Sequence, residues 1–531
     1  MKISILISVF LLATVISHSQ KAIGYVKAEG NDSTINLRVI SGADAVSNGH
    51  GVFSITLPDG TVGAAELVPV SDPDASEVRI QMPQGTKAWK KETYFANAMG
   101  GIEWDIASSL VQSPDGGFAM CGETESYGAG GSDFMLLKTD GNGDFEWGKA
   151  YGYSSSNEGK AICLTHTGGY YLTGTSWNPT YSSYYAYVYL LDASGSIQLE
   201  GGYGTTGGDE YGEDCIQASD NNLVIIGRTD GLGAGGNDVY VKKTEYGTGN
   251  NIWGWAIGNT GNDRGFGIIQ RSDGGYVAVG DTWSGTDWDI YFLYLDSGGT
   301  VELSLAIGGD GYDYGRDVVE TYDGGYVVAG YSTSGGAGGL DAYLRKEDAA
   351  GNPVWGTYYG GTNNEYCHAI IETDDHGLVF AGSTQSFGAY AGDFWIVKVD
   401  ENGNGKWAWV FGTNASEKAY DIIEADDGCL YVCGETTDAI DWYDAIIIKF
   451  AGDGSACMGS RLGFSGDGTD NRTEPEGFRA RRIDLFSQIQ AGNDVRPVKT
   501  ESRPVKGDLI EINKVQRDVN SFTPTVVNIC N

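Results

Sequence analysis

An eight-residue phrase returns along this chain with small changes. It reads DGGFAMCG at 115–122, DGGYVAVG at 273–280 and DGGYVVAG at 323–330. Aligned on the residue that opens the turn, the sequence marks seven units, at Asp115, Thr167, Asp220, Asp273, Asp323, Asp375 and Asp427. Successive steps are 52, 53, 53, 50, 52 and 52 residues. A period held this closely constrains the architecture more than any single residue does.

Each unit reads as four short strands. In the fifth these are DVVET (317–321), YVVAGYS (326–332), DAYLRKED (341–348) and PVWGTYYG (353–360), separated by YDGG, TSGGAGGL and AAGN turns. The runs are rich in Val and Tyr and alternate or cluster as strands require. Paired glycines supply the positive φ angles of tight hairpins. Within the units no stretch carries a helical period. A lone four-stranded sheet cannot cover both its faces, whereas seven copies packed around a centre can, so the expected fold is an all-β, seven-bladed β-propeller. The seventh unit lacks a fourth strand, because GDGSACMGS (452–460) has no Trp-to-Gly pattern. TYFANAMGG (93–101), ahead of the first unit, carries that pattern with Phe95 in the Trp place. An N-terminal segment is therefore expected to complete blade seven and remove an exposed edge.

Other columns repeat. Asp133, Asp238, Asp289, Asp341, Asp393 and Asp444 open the third strand, with Tyr185 as the exception. Lys138, Lys243, Lys346, Lys398 and Lys449 follow five residues later, and Trp147, Trp253, Trp355 and Trp407 lie in the fourth strand. Recurrence in most blades predicts structural work: strand-start hydrogen bonds by Asp, and interblade packing by Trp and the Lys stem.

Together, the DGG-aromatic-Val-Val-Ala-Gly hairpin, the Asp-x-x-x-x-Lys strand and the Trp-x-x-x-x-Gly-Gly strand resemble the secreted bacterial and archaeal propellers built from SBBP-type repeats, over about 93–460. The resemblance implies the fold and export, and it implies no particular chemistry.

The ends read separately. MKISILISVFLLATVISHSQ has Lys2 as a basic n-region, an apolar run from Ile3 to Ile16 and Ser17-His18-Ser19 as a cleavage site, so residues 1–19 are expected to be a signal peptide. Its Ser-x-Ser-Gln end is similar to Bacteroidetes export signals. The residue directly after the cleavage site is Gln20 and not Cys, and no later apolar run approaches the ~20 residues of a membrane span. The expectation is a secreted, extracellular or cell-surface protein. Residues 20–87 are expected to form a small all-β accessory domain, with GVFSITLPDGTVGAAELVPV as a hairpin around Pro-Asp-Gly. The propeller takes 88–460. Residues 461–531 are read as a polar, partly disordered tail, with GFRARRIDLFSQ as a candidate amphipathic helix.

Charge narrows the partners. With 71 Asp+Glu against 34 Lys+Arg, the formal net charge of −37 repels nucleic acid and anionic membranes and attracts cations. Eight cysteines make no disulfide framework in a chain of this size. Cys121 and Cys433 share a strand column and read as small buried hydrophobes, while Cys457 and Cys530 flank the tail and would suit one disulfide.

A catalytic site should break the repeat, because one residue of the ring must differ from its equivalents. His166, His368 and His376 have no metal-ligand spacing, and no nucleophile elbow, phosphate loop or Cys-x-x-Cys occurs. Three residues before the turn position stand Gln112, Leu164, Gln217, Gln270, Glu320, Glu372 and Glu424. The first strand of a blade is innermost, so Glu320, Glu372 and Glu424 form an axial arc that could hold a Ca²⁺ ion, act as an acid/base pair, or simply be solvated. Asp140, Asn142 and Asp144 in DGNGD have alternate calcium-loop spacing without the distant bidentate Glu, and an ordinary turn is the alternative. Aromatic residues interrupt the Gly-rich loops between second and third strands: Trp177, Tyr181, Tyr184 and Tyr185 in blade two, Trp283 and Trp288 in blade four, Trp442 and Tyr443 in blade seven. Such rings beside Asp and Asn suit sugar faces, or else they fold back to cap their blades. The leading expectation is a non-enzymatic, monomeric module that binds glycan or a cell-surface protein. The rival is a glycan-active hydrolase or lyase using the axial carboxylates.

Overall fold

The computed structural model describes residues 96–101, 103–129, 131–205, 207–387, 392–412, 416–437 and 443–451 in full, together with the backbone of strands at 23–27, 34–39, 52–56, 62–69, 76–81, Phe95 and 479–483. The chain divides into two units, Met1–Glu92 and Thr93–Asn531. No helix occurs among the described residues.

The first unit is an antiparallel meander of Ile23–Lys27, Thr34–Val39, Val52–Thr56, Val62–Pro69 and Ser76–Gln81. The hairpin read from its Pro-Asp-Gly turn pairs Val52–Thr56 with Val62–Pro69.

The second unit is a propeller of seven antiparallel blades. Their innermost strands are Asp105–Gln112, Asn157–Leu164, Glu210–Gln217, Asp263–Gln270, Asp313–Glu320, Glu365–Glu372 and Glu417–Glu424. Each packs against the next, and the seventh packs against the first, so the ring is closed. Closure is made as the sequence suggests. Phe95–Met99 runs antiparallel to Tyr443–Ala451, from Phe95 opposite Lys449 to Met99 opposite Ala445, as the outer strand of blade seven.

The core lies between blades rather than within them. Between blades four and five, Val277, Val279, Phe292 and Tyr294 meet Val318, Val328 and Tyr343. Between six and seven, Val379, Phe394 and Ile396 meet Ile422, Leu430 and Val432, with Ala96 and Ala98 of the closing strand in the same cluster. Each such side chain contributes about 1.5–3 kcal/mol on burial, a gain that an isolated blade would forgo on its open face.

The repeating columns acquire definite roles. The third-strand Asp accepts backbone N–H groups from the loop before it: Ala129 N to Asp133 at 2.6 Å and Ala234 N to Asp238 at 3.1 Å. Trp147, Trp253 and Trp355 press on Gly195, Gly299 and Gly403 in the outer turn of the following blade, as expected of interblade packing. The Lys column adds an ion pair to its buried stem, and Lys243 also donates to Tyr276 of the next blade at 3.0 Å. Its ammonium groups pair with the Asp of their own blade's turn: Lys138 with Asp115 at 2.9 Å, Lys243 with Asp220 at 2.7 Å, Lys346 with Asp323 at 2.6 Å, Lys398 with Asp375 at 2.6 Å and Lys449 with Asp427 at 2.8 Å. A buried stem leaves the ammonium needing a carboxylate, and the turn supplies one. Blade two has changed both members, to Thr167 and Leu190.

The segment read as a candidate helix is instead a strand. Arg479–Ile483 pairs antiparallel with Gly405–Gly412, adding a fifth strand to blade six. An outer strand presents unpaired backbone groups, and satisfying them outweighs a weak local preference for helix.

Candidate binding site at the propeller axis

The last glycine of the repeated phrase creates the site. At Gly122, Gly174, Gly227, Gly280, Gly330, Gly382 and Gly434, a Cβ would collide with an innermost-strand carbonyl oxygen, that of Ile106, Glu158, Tyr211, Arg264, Tyr314, Tyr366 and Lys418 respectively. Opposite each of these glycines the innermost strand carries one extra residue, a β-bulge. Only a residue without a side chain lets the strands approach so closely. The seven bulged residues are Ser108, Lys160, Glu213, Phe266, Arg316, His368 and Tyr420, each of a different type.

Each of these residues is partly exposed, directly follows a buried position and lies on an innermost strand, so it faces the axis. Their partners come from the adjacent end of the first two strands. Lys160 pairs with Glu158 at 3.0 Å, Glu213 with Arg228 at 2.8 Å, and Arg264 with Asp281 at 2.7 Å. Arg316 reaches the same Asp281 from the next blade at 3.1 Å and donates through Nε to the Tyr331 hydroxyl at 3.1 Å. Its guanidinium also covers Phe266, 4.2 Å from the ring centre. Glu435 accepts from Lys418 at 2.7 Å and from the Tyr420 hydroxyl at 3.0 Å.

Electrostatics confirm that these groups converge. Burial raises the Glu213 carboxyl, and Arg228, Lys160 and Arg316, from three blades, oppose the rise. Burial together with Arg316 and Lys418 pushes His368 down to about 3, leaving a neutral imidazole at physiological pH. Its ring lies 5.4 Å from that of Tyr420. Deeper in the ring, Asp214, Asp317 and Asp421 act as interblade latches: Asp214 accepts from Ile268 N at 3.0 Å, Asp317 from Ile370 N at 2.8 Å and Asp421 from Leu110 N at 2.8 Å. Burial, with a contribution from the other two, raises Asp317 to about 8.

Sequence reasoning missed this ring. Its signal was present in the column seven residues before the turn, where all seven residues differ while neighbouring columns repeat. Only the bulge reveals that this column faces inward.

The acidic column lies at the other end of the innermost strand. Glu372 accepts from Tyr322 N at 3.1 Å and Glu424 from Asp374 N at 2.7 Å; Gln112, Gln217 and Gln270 do the same for Asp426, His166 and Ser219. In these five blades the column ties the innermost strand to the turn of the blade before it. Glu320 lies in the same column, where burial and the charge of Asp273 raise its carboxyl and Arg271 opposes the rise. In DGNGD, Asp140 accepts from Asn142 N at 2.8 Å and Asp144 N at 3.0 Å, the turn that Asp192, Asp296, Asp348 and Asp400 repeat in other blades. Among the described residues no three His, Cys, Asp or Glu side chains are grouped to hold a metal.

The aromatic loops stand at the bulge end of the axis, because the second strand finishes where the first begins. Tyr184 stacks on Tyr211, with centroids 5.5 Å apart, and Trp177 meets Tyr184 edge-on at 5.0 Å. Tyr181 is exposed and stacks on buried Tyr185 at 6.0 Å. Trp288 lies under the Arg264 guanidinium at 4.1 Å and meets Trp283 at 5.4 Å. Tyr443 lies 5.8 Å from the Lys418 ammonium. The structure thus joins most of the aromatic residues singled out in the sequence to the axial charge ring. Trp442, Cys457 and Cys530 lie outside the described residues, as does the leader.

No family model and no curated protein matches the chain. Similar solved structures include Sqt1 of Chaetomium thermophilum bound to the N-terminus of ribosomal protein L10, at 11% identity over 67% of this chain and 98% of that one, TM-score 0.39. A protein of unknown function from Dyadobacter fermentans is similar at 11% identity over 67% and 97%, TM-score 0.39. The Hadza microbial sialidase Hz136 is similar at 8% identity over 76% and 74%, TM-score 0.38. Likenesses this low carry neither activity nor ligand across, and the SBBP resemblance rests on the repeat motifs alone.

Proposed function

We propose that this protein is an exported recognition module that binds a glycan, end-on or by a short segment, at the bulge end of the propeller axis. The observation that carries the reading is the ring of seven unlike side chains at equivalent bulges, set among aromatic faces. Its cations Lys160, Arg228, Arg264, Arg316 and Lys418 are matched by Glu158, Glu213, Asp281 and Glu435, and by Glu123, whose carboxyl is raised by burial and lowered by Lys160. A cluster whose charges balance has little net field with which to select an ion, yet its paired groups keep spare donors and acceptors. Tyr and Trp faces beside such groups fit the C–H faces and hydroxyls of a neutral sugar. Export is read from the leader. The rival enzymatic reading through Glu320, Glu372 and Glu424 gains no support, since Glu372 and Glu424 serve backbone N–H groups.

The test is binding to panels of neutral and uronate-bearing oligosaccharides at low and high salt, with analysis of the recovered sugar. The expected result is binding of a neutral oligosaccharide, returned intact, that survives high salt and weakens about tenfold, about 1.4 kcal/mol, in Trp288→Ala and His368→Ala. Binding that is indifferent to both substitutions, or confined to polyanions and abolished by salt, would overturn the proposal. New reducing or unsaturated ends would favour the enzyme.

A further inference from the structure

At every junction between blades the same two positions of the innermost strands meet. The residue four before the turn position in one blade packs on the residue five before it in the next. The pairs are Val111 with Ile162, Ile216 with Ile268, Ile269 with Val318, Val319 with Ile370, Ile371 with Ile422, and Ile423 with Leu110. All are aliphatic. At the junction of blades two and three the pair is Cys163 and Cys215, with Sγ atoms 3.6 Å apart. Two cysteines have replaced two aliphatic residues at the one place where each becomes the other's neighbour.

We propose that Cys163 and Cys215 form an interblade disulfide when the protein meets a thiol oxidant. The thiols already touch, and a modest rotation brings them to the ~2.05 Å of an S–S bond. Cys163 is partly exposed while Cys215 is buried, which sets the order of events. The Cys163 thiolate attacks one sulfur of a small disulfide such as oxidised glutathione, expelling one glutathione thiolate. The Cys215 thiolate, its proton lost to solvent, then attacks the Cys163 sulfur of the mixed disulfide and expels the second. Two protein thiols are oxidised and one disulfide is reduced to two thiols. The other described cysteines do not share this geometry: Cys367 and Cys433 direct their thiols at the backbone carbonyls of Ala369 and Ala107. The location also has a structural use, because blade two lacks the Lys–Asp pair and the third-strand Asp that brace its neighbours.

The experiment incubates the folded full-length chain with oxidised glutathione, denatures it in iodoacetamide and maps the unreduced peptides by mass. The expected product is a cross-linked pair containing Cys163 and Cys215, lighter by two hydrogens than its separate peptides, with Cys121, Cys367, Cys429 and Cys433 alkylated. Oxidation should raise the thermal midpoint by a few degrees. A C163V/C215I variant, which restores the aliphatic pair of the other junctions, should fold and lose that gain. Full alkylation of both cysteines, a persistent glutathione adduct on Cys163, either cysteine cross-linked elsewhere, or a gain that survives in the variant would each overturn the proposal.

Discussion

Blade two already contains the experiment that tests how the repeat holds its turns. There Thr167 and Leu190 stand where blade five has Asp323 and Lys346. In blade five the Lys346 side chain is 6% exposed and its ammonium lies 2.6 Å from Asp323, whose side chain is 44% exposed. Removing the carboxylate alone, as Asp323→Thr, strands a buried ammonium. An exposed ion pair is worth less than ~1 kcal/mol, but desolvating an unpaired charge adds to the loss, so the expected cost is about 2 kcal/mol. Lys346→Leu alone leaves a carboxylate that solvent can reach, and the cost should stay under ~1 kcal/mol. The double variant, which copies blade two, should lie near wild type, giving a coupling of about 2–3 kcal/mol. The assay is the thermal midpoint of all four proteins, where Asp323→Thr should fall roughly 2–4 °C. Burial opposes ionisation of Asp323, but Lys346, the Thr321 hydroxyl and Gly325 N–H outweigh it and hold the carboxyl at about 2. Because that value is lowered, the stabilisation is present above the ordinary carboxylate value near 4 and is lost as pH falls towards 2. If the double variant were as unstable as the sum of the singles, or if Asp323→Thr were neutral at pH 7, the latch argument would fail.

Other outcomes follow from the same geometry. Burial raises Asp317 to about 8 and Asp214 to about 7, so the folded state holds these protons more tightly than the unfolded chain. Their contribution is present below about pH 4 and is lost as pH rises through 7–8, so the thermal midpoint should decline from mildly acidic pH towards pH 9; a steady rise over that range would contradict the assignment. Gly330→Ala should destabilise the ring by about 3 kcal/mol, since its Cβ meets the Tyr314 carbonyl, and should weaken ligand binding by displacing the bulge that carries Arg316. An unchanged melting curve would show that the bulge does not depend on the glycine. Glu424→Gln keeps an acceptor for Asp374 N and should melt like wild type, whereas Glu424→Ala should lose about 1 kcal/mol. Equal melting of the two variants would remove the structural role given to that column.

Much of the fold was legible because its signals are local. The interval between DGG turns counts the blades, and the displaced Phe95 pattern names the strand that closes them. The aromatic loops were also readable, as breaks in an otherwise glycine-rich column. The acidic column drew attention for its charge, yet Glu372 and Glu424 turned out to serve backbone N–H groups of the preceding blade. The Lys column was recognised as structural, and its Asp partner stands at a nearly constant interval before it, but only the folded hairpins show that the two side chains meet.

Sequence by itself determined the number of blades, their strand order and the manner of closure, since each follows from short-range turn chemistry and hydrophobic alternation repeated at one period. Tertiary structure decided which side chains face the axis. A strand's alternation assigns inside and outside only while its register is regular, and the close approach at each Gly inserts one residue that breaks it. Lys160, Glu213, Arg316, His368 and Tyr420 become neighbours for that reason alone, on strands separated by some fifty residues of chain.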